Sequence, residues 1–222
     1  MNDLVAQILR EEERWAGRFL ILPLRVADMS EKLSKKEALE EIRKSLEDCR
    51  CCSLCETARN IVFGEGSPDA AVMFVGEAPG AMEDKTGRPF VGPAGRLLTD
   101  IIEKGMGLSR KDVYIANIAK CRPPGNRDPQ PEEIRECIGF LWKQIEVIGP
   151  RVIIALGKVA AQSLLETDSP ISVLRGRFHE CRGVRVMPTF HPSYLLHNPA
   201  KKREVWEDIK KVMQYLDISL PA

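Results

Sequence analysis

The sequence predicts an α/β protein: a three-layer αβα arrangement around a central, mostly parallel four-stranded sheet, with an N-terminal helical extension. Two observations lead there. From Ile61 onward, short apolar runs of strand length alternate four times with longer runs of helical spacing, the pattern of a parallel sheet covered on both faces. The 222 residues, 44% hydrophobic and 29% charged, exceed the ~150 of an average domain by the length of an extension. They suffice for a core without disulfide staples, and the balance excludes a disordered chain.

The elements follow in order. Residues 1–48 read as two helical stretches, roughly 2–20 and 31–47, split by Pro23 and the segment Asp28–Ser30. Leu4, Ile8, Trp15 and Phe19 share one helical face, and Ser30 or Ser34 suits the N-cap of the second stretch. A strand over 71–75 precedes a Gly/Pro turn and a helix over about 93–105. A strand over 113–117 leads to a Cys/Pro loop and a helix over about 132–148. A third strand, 152–156, is followed by a helix over about 158–166. A fourth, from Val184 toward Thr189, precedes a last helix over about 201–216. There is no internal repeat.

No apolar run approaches the ~18 residues of a membrane span, and Asp3 with Glu11, Glu12 and Glu13 spoils a signal peptide. The expectation is a soluble, cytoplasmic protein. The formal charge of +1 hides an asymmetry, because residues 175–203 carry seven Lys/Arg against Glu180 alone. Such a stretch suits a polyanion, although most charge runs are solvated faces.

The seven cysteines are the sharpest local signal. An odd number argues against a disulfide framework. Four sit in Cys49-Arg-Cys51-Cys52-Ser-Leu-Cys55, and the C-x-x-C bite for a metal or cluster fits Cys49/Cys52 or Cys52/Cys55. Cys121 and Cys137 add two thiols across a Pro-rich loop and a helix. Four thiolates suit zinc and an iron–sulfur cluster equally.

In a parallel sheet, chemistry belongs at the carboxyl ends of the strands. The segments there are Gly76–Gly95, Asn117 with Lys120-Cys121-Arg122-Pro-Pro-Gly-Asn126-Arg127, Gly157-Lys158, and His191-Pro-Ser-Tyr-Leu-Leu196. Polar groups from separate strand ends thus converge on one crevice. Phe90, fixed by Pro89 and Gly92, could stack on a planar ring. Asn117 could read hydrogen-bonding edges, and His191 could place a donor where negative charge grows.

These words, with Val62-Phe-Gly-Glu-Gly66, resemble those of the iron–sulfur uracil-DNA glycosylases usually called family 4. The resemblance covers about residues 47–215. It implies a glycosylase domain over 47–222 with residues 1–46 as the extension, excision of uracil from DNA as a monomer, and a [4Fe–4S] cluster. The ligands it implies are Cys49, Cys52, Cys121 and Cys137, with no role for Cys51 or Cys55. It further implies a nucleoid-associated enzyme that flips the base from single- or double-stranded DNA into a pocket of Glu77, Ala78, Gly80, Phe90, Asn117 and His191.

First-family relatives carry Asp at the position of Ala78 to orient water, and Tyr at the position of Gly80 to exclude the thymine methyl. Family 4 lacks both, so the carboxylates Glu77, Glu83 and Asp84 inherit the task. Glu83 is expected to block the C5 side and to steer water, with His191 and Glu77 as its catalytic companions. The uracil-crosslinking branch carries a basic insertion after the second strand; none is present here. The alternative is an iron–sulfur DNA-binding module without turnover.

Overall fold

A computed structural model describes residues 33–219. Its centre is a six-stranded sheet of β1 (Glu65–Gly66), β2 (Val72–Gly76), β3 (Tyr114–Asn117), β4 (Val152–Leu156), β5 (His179–Cys181) and β6 (Val184–Thr189), ordered β1-β3-β2-β4-β6-β5. Strands β3, β2, β4 and β6 are parallel, as the sequence predicts. The antiparallel edge strands β1 and β5 are additions. Both are short and polar, so hydropathy does not announce them, and such strands suit a sheet edge.

The helices are α1 (Lys35–Lys44), α2 (Ala81–Thr86), α3 (Pro93–Asp100), α4 (Pro131–Ile148), α5 (Lys158–Leu165), α6 (Ile171–Leu174), α7 (Pro192–His197) and α8 (Lys202–Tyr215). A π-helical turn, Ile101–Gly105, completes the stretch expected as one helix over 93–105. The expected first helix over residues 2–20 lies outside the described residues. The second appears as α1, capped by Ser34, whose side chain accepts from the Glu37 N–H while Glu37 reaches back.

The period-2 alternation of the strands sorts the core into two layers. Met73, Val75, Ile153 and Ala155 face α1, α4 and α5, while Val72, Phe74, Ile154 and Leu156 face α3, α7 and α8. A one-residue slip would exchange both sets, and each large apolar side chain left in water forfeits about 1.5–3 kcal/mol, so the register is firmly fixed. Ala38, Leu39 and Ile42 of α1 join the first layer, so this helix packs as part of the α/β unit. Among the described residues, no helix is long and apolar enough to cross a membrane.

Register sets the site. Gly76 lies beside Asn117, and Leu156 beside Thr189, so the carboxyl ends of all four parallel strands open on one side. The chain leaves β2 for β3 on one flank and returns to β4 on the other, a switch point that leaves a crevice above β2.

Candidate active site

Asn117 ends β3 and is buried; its side-chain Oδ1 has no hydrogen-bond partner. Buried polar groups are nearly always satisfied, and an orphan costs about 1–3 kcal/mol unless something arrives to pair with it. A Cβ on Gly76 would lie 2.5 Å from this oxygen and 2.5 Å from the Phe90 ring. Only glycine lets strand, amide and ring meet there.

Phe90 is buried with φ at 51°, a backbone conformation that costs a bulky residue about 1–3 kcal/mol. Arg110 holds it there. Its guanidinium donates to the Phe90 carbonyl at 3.1 Å, to the Pro89 carbonyl at 2.9 Å and to Glu65 at 2.8 Å. Glu65 also accepts from Arg88. Motif reading missed Arg110, because a residue 20 positions downstream carries no local mark of what it clamps.

His191 caps α7. Its Nδ1 accepts from the Ser193 N–H at 3.1 Å and lies 2.7 Å from Ser193 Oγ. A backbone N–H can only donate, so the neutral ring carries its proton on Nε2. Burial pulls the imidazolium down to about 4, opposed by the charge of Glu83. The ring lies 5.7 Å from that of Phe90. Gly157, at φ 91°, backs it: a Cβ there would stand 2.9 Å from His191 Cβ.

The carboxylates separate into three uses. Glu83 Oε1 accepts from the Val91 and Gly92 N–H groups, each at 2.9 Å, and so ties α2 to the loop that carries Phe90. Its Oε2 would lie 2.9 Å from a Cβ on Gly80, the N-cap of α2. Asp84 turns away and accepts from the Arg59 and Asn60 N–H groups at 2.8 and 3.3 Å, so it holds the chain arriving from the cysteine knot. Glu77 follows Gly76 directly. Burial, then the charge of and hydrogen bond with Asp128, push it up to about 7, with Lys158 opposing. Ala78 packs beside Leu54, Ala119 and Cys121, so its side chain faces the cysteines.

Cys49, Cys51, Cys52, Cys55, Cys121 and Cys137 line one cavity, with Leu54, Ile61 and Lys120. Cys121 and Cys137 are buried. Burial first, then the neighbouring Cys137, Cys52, Cys49 and Cys55, push the Cys121 thiol up to about 12. The Lys120 N–H points at Cys137 Sγ, 3.2 Å away. Among the described residues, no three His, Cys, Asp or Glu side chains gather about one point as a single ion requires. Cys181 stands apart in β5.

The basic stretch does not form one rim. Arg175 is enclosed by Asp208 and Glu204. Arg185 pairs with Val152 at the start of β4, and Arg182 sits in the β5–β6 turn, at the end of the sheet away from His191. Lys201 remains on the crevice side, paired with Glu204. Linear clustering of charge misleads here because a hairpin carries the chain down the sheet and back.

Residues 63–210 match the family model of the uracil DNA glycosylase superfamily. The chain is 46% identical over 187 residues to a type-4 uracil-DNA glycosylase of Thermotoga maritima, which spans 82% of this chain and 97% of that one. A type-4 uracil-DNA glycosylase of Archaeoglobus fulgidus is 44% identical over 184 residues, 79% of this chain and 92% of the relative. A DNA polymerase of Bacillus phage SP01 is 32% identical over 159 residues, 71% of this chain and 17% of the polymerase.

Proposed function

This chain belongs to the uracil-DNA glycosylase superfamily, and from that premise we propose that it flips uracil out of DNA and hydrolyses its N-glycosidic bond, opening base excision repair. The observation that carries this reading is the orphaned, buried Oδ1 of Asn117 beside the Phe90 ring. Uracil offers an N3–H to that oxygen and an O4 to the amide N–H, while cytosine presents the reverse pattern.

The residues then divide the work. Phe90 stacks on the extruded base. His191 donates from Nε2 to O2, where charge collects as the bond to the sugar lengthens. A neutral imidazole suffices as donor, and burial keeps it neutral. Glu83, with Gly80, closes the side of the pocket that meets C5. The second oxygen of Glu83, beside Gly80, would exclude a thymine methyl from the space it fills. Glu83 has one oxygen committed to the Val91 and Gly92 N–H groups, so the water expected of it falls to Glu77, which burial and Asp128 hold near 7 and which positions the water that captures the oxocarbenium-like sugar. The Ala78 backbone carries that loop across to the cysteines.

The cysteine site fits an iron–sulfur cluster of the [4Fe–4S] type. Zinc needs four ligands at about 2.3 Å from one centre; the thiols here surround a cavity instead. Cys49, Cys52, Cys121 and Cys137 would hold it, with the Lys120 N–H on the Cys137 sulfur. When bound, the cluster supplies cross-linking rather than bond cleavage, joining the start of the domain to the loop after β3.

The partner is uracil-containing DNA, bound by a monomer. The deciding experiment is uracil release from a single-stranded oligonucleotide, read as alkaline nicking. Iron-loaded enzyme that binds the oligonucleotide and leaves it uncut would replace this reading with a binding module.

A further inference from the structure

Lys120 is 1% exposed, and its ammonium donates to the Asn117 carbonyl at 2.9 Å and to Gln144 Oε1 at 2.7 Å. Both acceptors are neutral. Gln144 is itself fixed, donating to the Phe63 carbonyl at 3.0 Å and the Tyr114 hydroxyl at 3.2 Å. A buried cation is costly unless a negative group offsets it. Lys120 lines the cysteine cavity and its backbone N–H reaches Cys137 Sγ, so the ligand thiolates of a bound cluster would be the offsetting charge. One residue therefore touches the base-reading strand end with its side chain and the cysteine site with its backbone.

We propose that Lys120 is a positioning residue that couples the cysteine site to base recognition: its charge balances the thiolates on one side, and its ammonium fixes the Asn117 peptide, and so the amide, on the other. A satisfied buried network rigidifies what it holds, and the Asn117 amide must meet the base within a fraction of an ångström. This inference rests on the cluster reading above.

The test uses anaerobically purified holoenzyme carrying Lys120→Met or Lys120→Arg. Iron and sulfide per chain, the cluster midpoint potential, kcat and KM on a uracil oligonucleotide are measured. Lys120→Met should keep its iron and lose kcat by on the order of 10–100-fold, the scale of a misplaced catalytic contact, with KM near wild type. Its potential should move negative, because cluster potentials follow local charge and hydrogen bonding. Lys120→Arg should recover the potential and part of kcat.

Iron-loaded Lys120→Met with wild-type kcat overturns the proposal. So does a lost kcat with an unmoved potential and no recovery in Lys120→Arg, which is a merely structural role. If Lys120→Met does not fold, Gln144→Met removes one ammonium acceptor away from the cysteines. A smaller shift of both quantities in the same direction supports the coupling, and two wild-type values refute it. Wild-type protein without iron overturns the cluster reading, and the coupling with it; iron-loaded wild type beside an indifferent variant overturns the coupling alone.

Discussion

The crevice and the cysteine site adjoin, and they are built on opposite rules. In the crevice, polar groups are left unfinished: Asn117 Oδ1 lacks a partner, His191 Nε2 is unspent and Glu77 sits near its midpoint at neutral pH. At the cysteine site, Leu54, Ala119 and Cys121 pack densely, and burial pushes the Cys121 thiol toward its neutral form. An unfinished polar pocket waits for a substrate that comes and goes. Six thiols around one cavity suit a resident.

That contrast ranks the effects of substitution. The largest should come from the cysteine site, because loss of a metal or cluster belongs with the changes that exceed about 4 kcal/mol. Cys121→Ser should lower iron content, folded yield, melting temperature and activity together; a fully folded, active and colourless Cys121→Ser would dissolve the distinction between resident and visitor.

His191→Ala comes next. One donor to a developing anion is worth about 2.7–4 kcal/mol, so single-turnover cleavage should fall on the order of 100–1000-fold while oligonucleotide affinity and melting temperature stay near wild type. Equal losses in rate and affinity would place His191 in binding.

Asn117→Ala removes the orphan acceptor and its partner to N3–H, and should cost on the order of 1–3 kcal/mol in kcat/KM for uracil. Folding should suffer little, since nothing in the free protein bonds that oxygen. Unchanged uracil kinetics would remove Asn117 from the pocket.

The smallest effect concerns pH. Glu77 is raised to about 7 from 4.5, so the folded state holds a proton that the unfolded chain has released. Its contribution to stability is complete below pH 4.5 and is lost as pH rises through about 7. The carboxylate proposed to position water appears over the same interval, so kcat should climb through pH 7 while stability declines. Glu77→Gln should flatten both trends; a surviving inflection near 7 would assign it to another group. His191 runs the other way: held down to about 4, it stabilises the fold above pH 6.5 and withdraws that support as pH falls toward 4.

The four parallel strands and their helices were legible because periodicity is local: β4 is five buried residues between turn signals, and its limits match the expected ones. Phe90, Asn117 and His191 could be placed at strand ends by the same logic. What escaped were the long-range partners. Arg110 and Glu65 hold Phe90 from other parts of the chain, and Lys120 with Gln144 braces Asn117 across 24 positions. Asp84 looked equivalent to Glu83 in sequence; only the arrival of Arg59 and Asn60 separates them. Cysteine spacing left two C-x-x-C choices open, and the cavity, which all six thiols line, does not reduce them by itself. The basic stretch misled for a related reason, since a hairpin lies inside it.

The left-handed backbone of Phe90 has an evolutionary price. Glycine at that position would relax the φ of 51° and release roughly 1–3 kcal/mol, yet Phe90 is buried in the layer of α3, α7 and α8, and deleting such a ring costs about 3–5 kcal/mol. Strain relief is therefore outweighed by lost packing, so selection for stability and selection for uracil release both retain a locally disfavoured residue and the Arg110 clamp that tolerates it. In a library sorted first for stability and then for uracil release, both screens should therefore reject glycine at position 90, and both should reject the loss of Arg110.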